Sequence, residues 1–201
     1  MKRFRAVTLF ALYVSISAFS QSLSQADRDR ALKYLETTRQ GVVNATAGLS
    51  EAQWNFKPSP DRWSVAEVTE HIATTESYLR GMVIEKVMTA PPRPDGEDVK
   101  AIDDQVLAMI PDRSHKAQAP EPLKPTNHFG SGPGALKAFL ESRQQTVDFL
   151  SSHDDLRAHA IDSHLGKKLD AYEWVLFIAA HSERHTKQIL EVKADPNFPR
   201  K

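Results

Sequence analysis

Cysteine is absent from the 201-residue sequence. Its absence excludes disulfide bonds, a thiolate nucleophile and thiolate ligands, so any metal ion must be bound through nitrogen and oxygen atoms. Neither sign of charge is in excess, because 26 lysine and arginine side chains balance 26 aspartate and glutamate side chains. With no net charge and no basic cluster, nucleic acid is not expected as a partner. Neither a glycine-rich phosphate loop nor a Gly-x-Ser-x-Gly motif occurs.

Residues 1–20 have the pattern of a secretory signal peptide. Residues 2–5 are mostly basic, residues 6–19 are uncharged and largely apolar, and small residues precede a cleavage point after Ser20. The apolar run of about 14 residues is shorter than the roughly 20 that span a membrane. Cleavage is therefore favoured over a membrane anchor, and no stable membrane insertion is expected afterwards. The pattern predicts a mature domain of residues 21–201 in the periplasm or outside the cell, which suits a cysteine-free chain.

Helical periodicity predicts an all-α fold with four main helices. Ser64 and Glu67 form a capping-box pattern, and Asp170 is followed three residues later by Glu173. Pro133 favours the first turn of a helix. No alternation typical of β-strands is present. The predicted helices one to four cover residues 26–47, 64–89, 133–152 and 170–195.

A long proline-rich crossover, residues 90–132, connects helices two and three. It contains prolines at positions 91, 92, 94, 111, 120, 122 and 125, and only residues 98–109 show helical patterning. Connections of this length in a compact domain are usually functional or mobile. Two interpretations are open: the crossover shapes the mouth of a pocket at one end of the bundle, or it is simply solvated.

His181 and His185 are the main candidates for a functional site. Residues four apart on a helix differ by about 40° around its axis and about 6 Å along it, so both imidazoles project from one face. Trp174, Ile178 and Ile189 share that face, which marks it as the buried one. Two histidines stacked on an inward face can share a metal ion, with a third ligand from another helix.

His71 is the best candidate for the third ligand, because it lies with apolar residues on the inward face of helix two. It lies roughly 10 Å after the start of that helix, and the other two histidines lie roughly 15 Å before the end of helix four. Antiparallel helices would bring all three to one level, whereas parallel helices would misplace them by about 9 Å. Ordinary packing of the three in the core is the alternative.

Three neutral imidazoles with an open coordination position suit Zn²⁺, with Ni²⁺ and Fe²⁺ as alternative ions. Water in the open position could serve as a nucleophile or be displaced by substrate. A zincin protease is excluded, because Ser182 stands where that motif has glutamate directly after the first histidine. Glu183 lies about 200° around the helix from His181.

Other polar side chains near these positions are predicted to be solvent-exposed. Glu70 and Glu76 flank His71 and are interpreted as solvated carboxylates rather than as partners that fix a histidine tautomer. Arg184 and Lys187 are interpreted as surface charges rather than substrate-binding groups. The remaining histidines are predicted to be ordinary exposed residues: His115, His128, His153, His159 and His164.

Three motifs resemble the DinB-like (YfiT-like) superfamily of proposed metalloenzymes: LSEAQW at 49–54, RWSVAEV at 62–68 followed by His71 and Glu76, and H-x-x-x-H at 181–185. The resemblance covers nearly all of the mature chain. It implies a four-helix bundle of up-down-down-up topology, with helices two and four antiparallel. It also implies that His71 and the two histidines of the last motif are metal ligands. Characterised relatives include thiol-dependent transferases and an isomerase, whose cytosolic thiols would be scarce outside the membrane.

Two classes of function are consistent with these observations. The favoured one is an exported metal-dependent enzyme, either a hydrolase or a thiol-dependent transferase, acting on a small molecule that the sequence does not identify. The alternative is a non-catalytic helical module that binds a metal or a ligand, or that forms a homodimer. An open, solvent-connected coordination position would favour the enzyme, and a closed one would favour the module.

Overall fold

The computed structural model describes residues 22–115 and 117–200. The predicted signal peptide lies outside the described residues, and cleavage after Ser20 stays a prediction. None of the described helices is long and apolar enough to cross a membrane. The helices and strands are α1 (Gln25–Thr46), α2 (Glu51–Asn55), α3 (Val65–Met82), α4 (Val99–Met109), α5 (Gly132–Ser152), β1 (Ala160–Asp162), β2 (Lys168–Asp170) and α6 (Ala171–Lys193).

Reciprocal caps fix the starts of the two helices that carry the candidate histidines. The hydroxyl of Ser64 accepts a hydrogen bond from the Glu67 amide at 3.2 Å, and the Glu67 carboxylate accepts one from the Ser64 amide at 2.7 Å. Asp170 and Glu173 form the same pair before α6. These bonds satisfy amides that the first helical turn leaves free, so α3 and α6 begin where the sequence predicts. A π-helical turn, Val83–Val87, continues α3 towards the crossover.

Two apolar clusters fill the bundle and show the direction of each main helix. The first cluster contains the N-terminal parts of α1 and α6 and the C-terminal ends of α3 and α5. The second contains the C-terminal parts of α1 and α6 and the N-terminal parts of α3 and α5. Thus α1 and α6 run in one direction while α3 and α5 run in the other. This up-down-down-up arrangement confirms the predicted all-α four-helix bundle.

A polar layer separates the two apolar clusters. It consists of one buried residue from each main helix: Thr38, Glu76, Arg143 and Ser182. On each helix, the polar residue lies between residues of the first apolar cluster and residues of the second. His181 directly precedes Ser182 and so lies at the level of this layer, whereas His71 and His185 lie on its second-cluster side.

A second group of buried charges lies at the other end of α6. This distal ion cluster consists of Arg93, Asp103, Arg157, Asp170 and Glu173. Two guanidinium nitrogens of Arg157 donate to the Asp103 carboxylate at 2.9 and 2.8 Å, and Arg93 donates to Asp170 at 2.5 Å. Because Asp170 precedes the first turn of α6, the cluster is about 16 Å along the helix from His181.

The connection between α5 and α6 contains a short hairpin that the sequence pattern did not predict. Strands β1 and β2 pair antiparallel, with Ala160 opposite Asp170 and Asp162 opposite Lys168. The turn is closed by the Ser163 amide, which donates to the Lys167 carbonyl at 2.9 Å. Strands of three residues are too short to show a recognisable period of two, which explains the missed assignment.

Candidate metal centre

His71, His181 and His185 converge inside the bundle. Their candidate ligand nitrogens lie within 4.8 Å of one another, and the ring centroids are 5.0, 4.6 and 4.3 Å apart. Bonds of about 2.0–2.1 Å to a tetrahedral ion place the nitrogens roughly 3.4 Å apart, so small side-chain rotations would fit the three to an ion. The antiparallel arrangement of α3 and α6 brings the histidines to one level, as the sequence predicts.

Hydrogen bonds determine which ring nitrogen is free on two of the histidines. Nδ1 of His71 lies 2.8 Å from the carbonyl oxygen of Leu123. A carbonyl can only accept, so Nδ1 carries the proton and Nε2 keeps its lone pair. Nδ1 of His185 lies 2.7 Å from Oε1 of Gln188 and donates to it in the same way. Both imidazoles therefore present Nε2 as the free donor, which is the tautomer that such partners hold in metal sites.

The protein holds all three imidazoles in the neutral form. Burial lowers the pKa of His71, against a weaker opposing effect of its bond to Leu123. Burial, and then the neighbouring His185 and His71, lower the pKa of His181 well below its usual range. Burial, together with the nearby His71, lowers the pKa of His185 to about 3. Since only the neutral ring can coordinate a metal, the cluster is ready to bind an ion at neutral pH.

Aromatic rings pack against the cluster, and one of its three members is partly exposed. Trp63 packs on His71 with ring centroids 4.9 Å apart, and Phe177 stacks on His181 at 6.4 Å. His71 is 4% exposed and His185 is 7% exposed, whereas His181 is only partly buried. His181 is therefore the most exposed member of the cluster.

Two surface grooves, of about 620 and 630 Å³, lie beside α3. The first runs between α3 and α5, and the second lies next to Trp54 and Glu70. Within the described part of the chain, neither groove is lined by any of the three histidines. Neither groove therefore leads directly to the cluster.

The crossover packs directly against the histidine-bearing helix. The guanidinium of Arg184 donates to the carbonyls of Asp112 and His115, and Lys187 donates to the Pro111 carbonyl at 3.3 Å. Arg184 and Lys187 lie at the surface of α6, and their donors hold the crossover against this helix. Leu123 extends this contact to His71. The crossover is therefore not simply solvated, because it contacts both helices that carry the candidate histidines.

Glu70 and Glu76 are buried, so their interpretation as solvated carboxylates is wrong. Glu70 is 6% exposed, and its Oε1 accepts hydrogen bonds from the amides of Thr126 and His128 at 2.8 and 3.0 Å. Glu76 is 2% exposed and pairs with Arg143 at 2.8 and 2.9 Å. Glu70 thus fixes the end of the crossover, and Glu76 belongs to the polar layer.

Sequence reasoning did not single out Arg143, the central residue of the polar layer. Its position offered a signal, because Arg143 lies four residues after Phe139 in the apolar stripe of α5. A charged residue within such a stripe indicates either a break in the buried face or a buried partner. The other histidines are partly as predicted: His115, His128 and His164 are exposed, whereas His153 and His159 are partly buried.

Comparisons with known proteins agree with this architecture. The family model of the DinB superfamily matches residues 34–189. The uncharacterised protein YuaE of Bacillus subtilis strain 168 is 30% identical over 151 residues, which cover 75% of this chain and 89% of YuaE. The structure of Bacillus subtilis YfiT, described as a probable metal-dependent hydrolase with an unusual four-helix bundle topology, superposes with a TM-score of 0.56 at 16% identity, over 89% of this chain and 93% of YfiT. By the family match and the YuaE relationship, the chain belongs to the DinB superfamily.

Proposed function

We propose that His71, His181 and His185 bind one divalent metal ion and that the protein is a metal-dependent enzyme. The supporting observation is the convergence of three neutral imidazoles within 4.8 Å. The Nδ1 protons of His71 and His185 are held by acceptors, which leaves Nε2 free on both rings. Zn²⁺ is the favoured ion for a site of nitrogen ligands alone, with Ni²⁺ and Fe²⁺ as alternatives.

Hydrolysis of a small molecule is the proposed reaction. YfiT, which has a similar fold, is described as a probable metal-dependent hydrolase. A bound divalent ion would supply Lewis-acid chemistry. The chain itself holds three neutral nitrogens at one level and packs the rings of Trp63 and Phe177 against them. Three protein ligands leave a coordination position for water or substrate, which supports a catalytic rather than a closed structural site.

Elemental analysis of the untagged protein tests the ligand set. The protein would be incubated separately with Zn²⁺, Ni²⁺ and Fe²⁺ and then freed of excess ion. We expect close to one ion per chain in the wild type and almost none in His71→Ala and His185→Ala. His128→Ala is the matched control, because His128 is exposed and its ring contacts Phe129 rather than a residue of the cluster. A wild type that retains no ion after any incubation would contradict the proposal.

Cobalt substitution tests whether the bound metal has an exchangeable coordination position. Such a position would favour an enzyme, and its absence would favour a non-catalytic binding module. Co²⁺ in a three-histidine site has a visible absorption spectrum that reports its ligands. We expect added azide to change this spectrum, because an exchangeable position should accept a small anion. A cobalt spectrum that azide leaves unchanged would favour a closed site and a non-catalytic module.

We further propose that the protein is exported to the periplasm or secreted. The basic start and the apolar run within residues 1–20 support export, and the lack of cysteine suits an oxidising compartment. Fractionation of cells followed by N-terminal sequencing would test this. We expect the exported form to begin at Gln21, and a cytoplasmic protein that retains residues 1–20 would contradict the proposal.

A further inference from the structure

Arg143 joins all four main helices through a complete set of hydrogen bonds. It lies on α5, is 1% exposed, and has five N–H donors. Two of them bind the Glu76 carboxylate of α3 at 2.8 and 2.9 Å. Two more bind α1, at the Leu35 carbonyl (2.5 Å) and the Thr38 hydroxyl (2.9 Å). The fifth binds the hydroxyl of Ser182 on α6 at 2.8 Å. Every donor of the buried guanidinium therefore has an acceptor.

The partners of Arg143 lie next to the candidate ligands in the chain. Ser182 directly follows His181 and lies three residues before His185. Glu76 lies five residues after His71, about 7.5 Å further along α3. The carboxylate of Glu76 is itself held by the Thr146 hydroxyl, which donates to it at 2.9 Å. The polar layer thus connects the ligand-bearing segments of α3 and α6 through one rigid side chain of α5.

Stability alone does not account for a buried ion pair at this position. Replacing such a pair by apolar residues of similar volume is often neutral or stabilising, because both charges lose their hydration on folding. Apolar contacts are tolerant of small sliding movements, whereas five directional hydrogen bonds are not. A shift of one residue along a helix moves a side chain by about 1.5 Å and turns it by about 100°. Metal ligands must be held within about 0.5 Å of their positions.

We propose that Arg143 and Glu76 are positioning residues that hold α3 and α6 in the register at which the three histidines converge. This inference rests on the proposed metal site. The guanidinium of Arg143 fixes Glu76 and Ser182 relative to each other, and through them His71 relative to His181 and His185. The bundle folds around either an ionic or an apolar layer at this level, but only the ionic layer sets the ligand geometry needed for tight metal binding.

A matched pair of double variants tests this role. Glu76→Leu/Arg143→Met removes the ion pair of the polar layer, and Asp103→Leu/Arg157→Met removes a comparable buried pair from the distal ion cluster. Each is compared with the wild type by zinc affinity in competition with a chelator, by the Co²⁺ spectrum, and by thermal unfolding of the metal-free protein. The positioning role predicts that the first variant remains folded, binds zinc at least about tenfold more weakly and has an altered cobalt spectrum. The Asp103→Leu/Arg157→Met control should keep the zinc affinity and the cobalt spectrum of the wild type.

The outcomes separate this inference from the proposed function. A wild type that binds no metal contradicts the proposed function itself. A wild type that binds zinc, together with a folded Glu76→Leu/Arg143→Met variant of equal zinc affinity and equal cobalt spectrum, overturns the positioning role alone. Equal weakening in the Asp103→Leu/Arg157→Met control also overturns it, because any loss of a buried pair would then act in the same way.

Single variants decide the question if the first double variant does not fold. Ser182→Ala removes the bond from Arg143 to α6, together with the bond from the Ser182 hydroxyl to the Ile178 carbonyl of its own helix. Thr186→Ala is its control, because the Thr186 hydroxyl donates to the Ser182 carbonyl within the same helix. We expect Ser182→Ala to weaken zinc binding several-fold and Thr186→Ala to leave it unchanged. Equal zinc affinities of the two variants and the wild type would overturn the inference.

Discussion

The Nδ1 nitrogen of His71 donates to the carbonyl oxygen of Leu123 at 2.8 Å. This bond joins α3 to the crossover and at the same time selects the His71 tautomer that leaves Nε2 free. The crossover therefore affects the candidate metal centre directly, although none of its side chains belongs to the histidine cluster. Substitutions that loosen the crossover should therefore weaken metal binding through this contact.

Glu70→Ala is expected to loosen the crossover near Leu123. Glu70 accepts hydrogen bonds from the amides of Thr126 and His128, and its removal leaves both amides without this acceptor. We expect a loss of about 1–3 kcal/mol in the free energy of unfolding, measured with urea. Zinc affinity should fall roughly tenfold, because the His71 partner is less well held.

Glu141→Ala is the control for Glu70→Ala. Glu141 is exposed on α5, and its carboxylate lies 3.9 Å from the Lys137 ammonium within the same helix. Glu141→Ala should change neither the free energy of unfolding nor the zinc affinity appreciably. Unchanged zinc affinity and unchanged stability in Glu70→Ala would contradict a role for the crossover in holding the site.

Gln188→Ala is expected to weaken metal binding with little effect on stability. Gln188 accepts the Nδ1 proton of His185 at 2.7 Å, and loss of such a partner typically lowers metal affinity by about 10–100-fold. Gln188→Glu keeps an acceptor and should restore affinity. Isothermal titration with zinc gives the comparison, with Gln144→Ala on the exposed face of α5 as control. Equal weakening by the alanine and glutamate variants would show that the acceptor does not matter.

The features that the sequence predicted are those that depend on local chemistry. Caps such as Ser64–Glu67 and Asp170–Glu173 operate within one helical turn, so the starts of α3 and α6 are readable from a few residues. The spacing of His181 and His185 likewise defines one helical face. The relative level of His71 followed from helix boundaries once an antiparallel arrangement was assumed.

The features that the sequence did not predict depend on contacts between distant segments. Burial of Glu76 is possible only because Arg143, 67 residues away, provides the opposite charge. A glutamate on α3 without that partner would face solvent, which is why its charge suggested exposure. The Leu123 contact uses a backbone carbonyl, which every residue possesses and no sequence pattern marks.

Ser64→Ala is expected to destabilise the start of α3. The Ser64 hydroxyl accepts the hydrogen bond of the Glu67 amide at 3.2 Å, and loss of an N-cap costs about 1 kcal/mol. Urea unfolding should show this loss, and hydrogen exchange should show faster exchange at the amides of the first turn. Ser151→Ala is the control, because the exposed Ser151 hydroxyl bonds only the Val147 carbonyl of its own helix. Equal stability of the two variants would contradict the role of the capping box.

Acid should destabilise the metal-free protein through its buried histidines. Unfolded histidines bind protons near pH 6.5, whereas burial lowers the pKa of His185 in the folded protein to about 3. Between these values the unfolded state binds more protons than the folded state, so the free energy of unfolding falls as the pH decreases. Above about pH 7, His185 has no effect on the pH dependence of this free energy. The contribution of His185 is up to about 1.4 kcal/mol for each pH unit in that window.

Urea unfolding with a chelator at pH 7 and pH 5 should show a smaller loss of unfolding free energy for His185→Gln than for the wild type. An equal loss in the two proteins would mean that His185 titrates normally in the folded state.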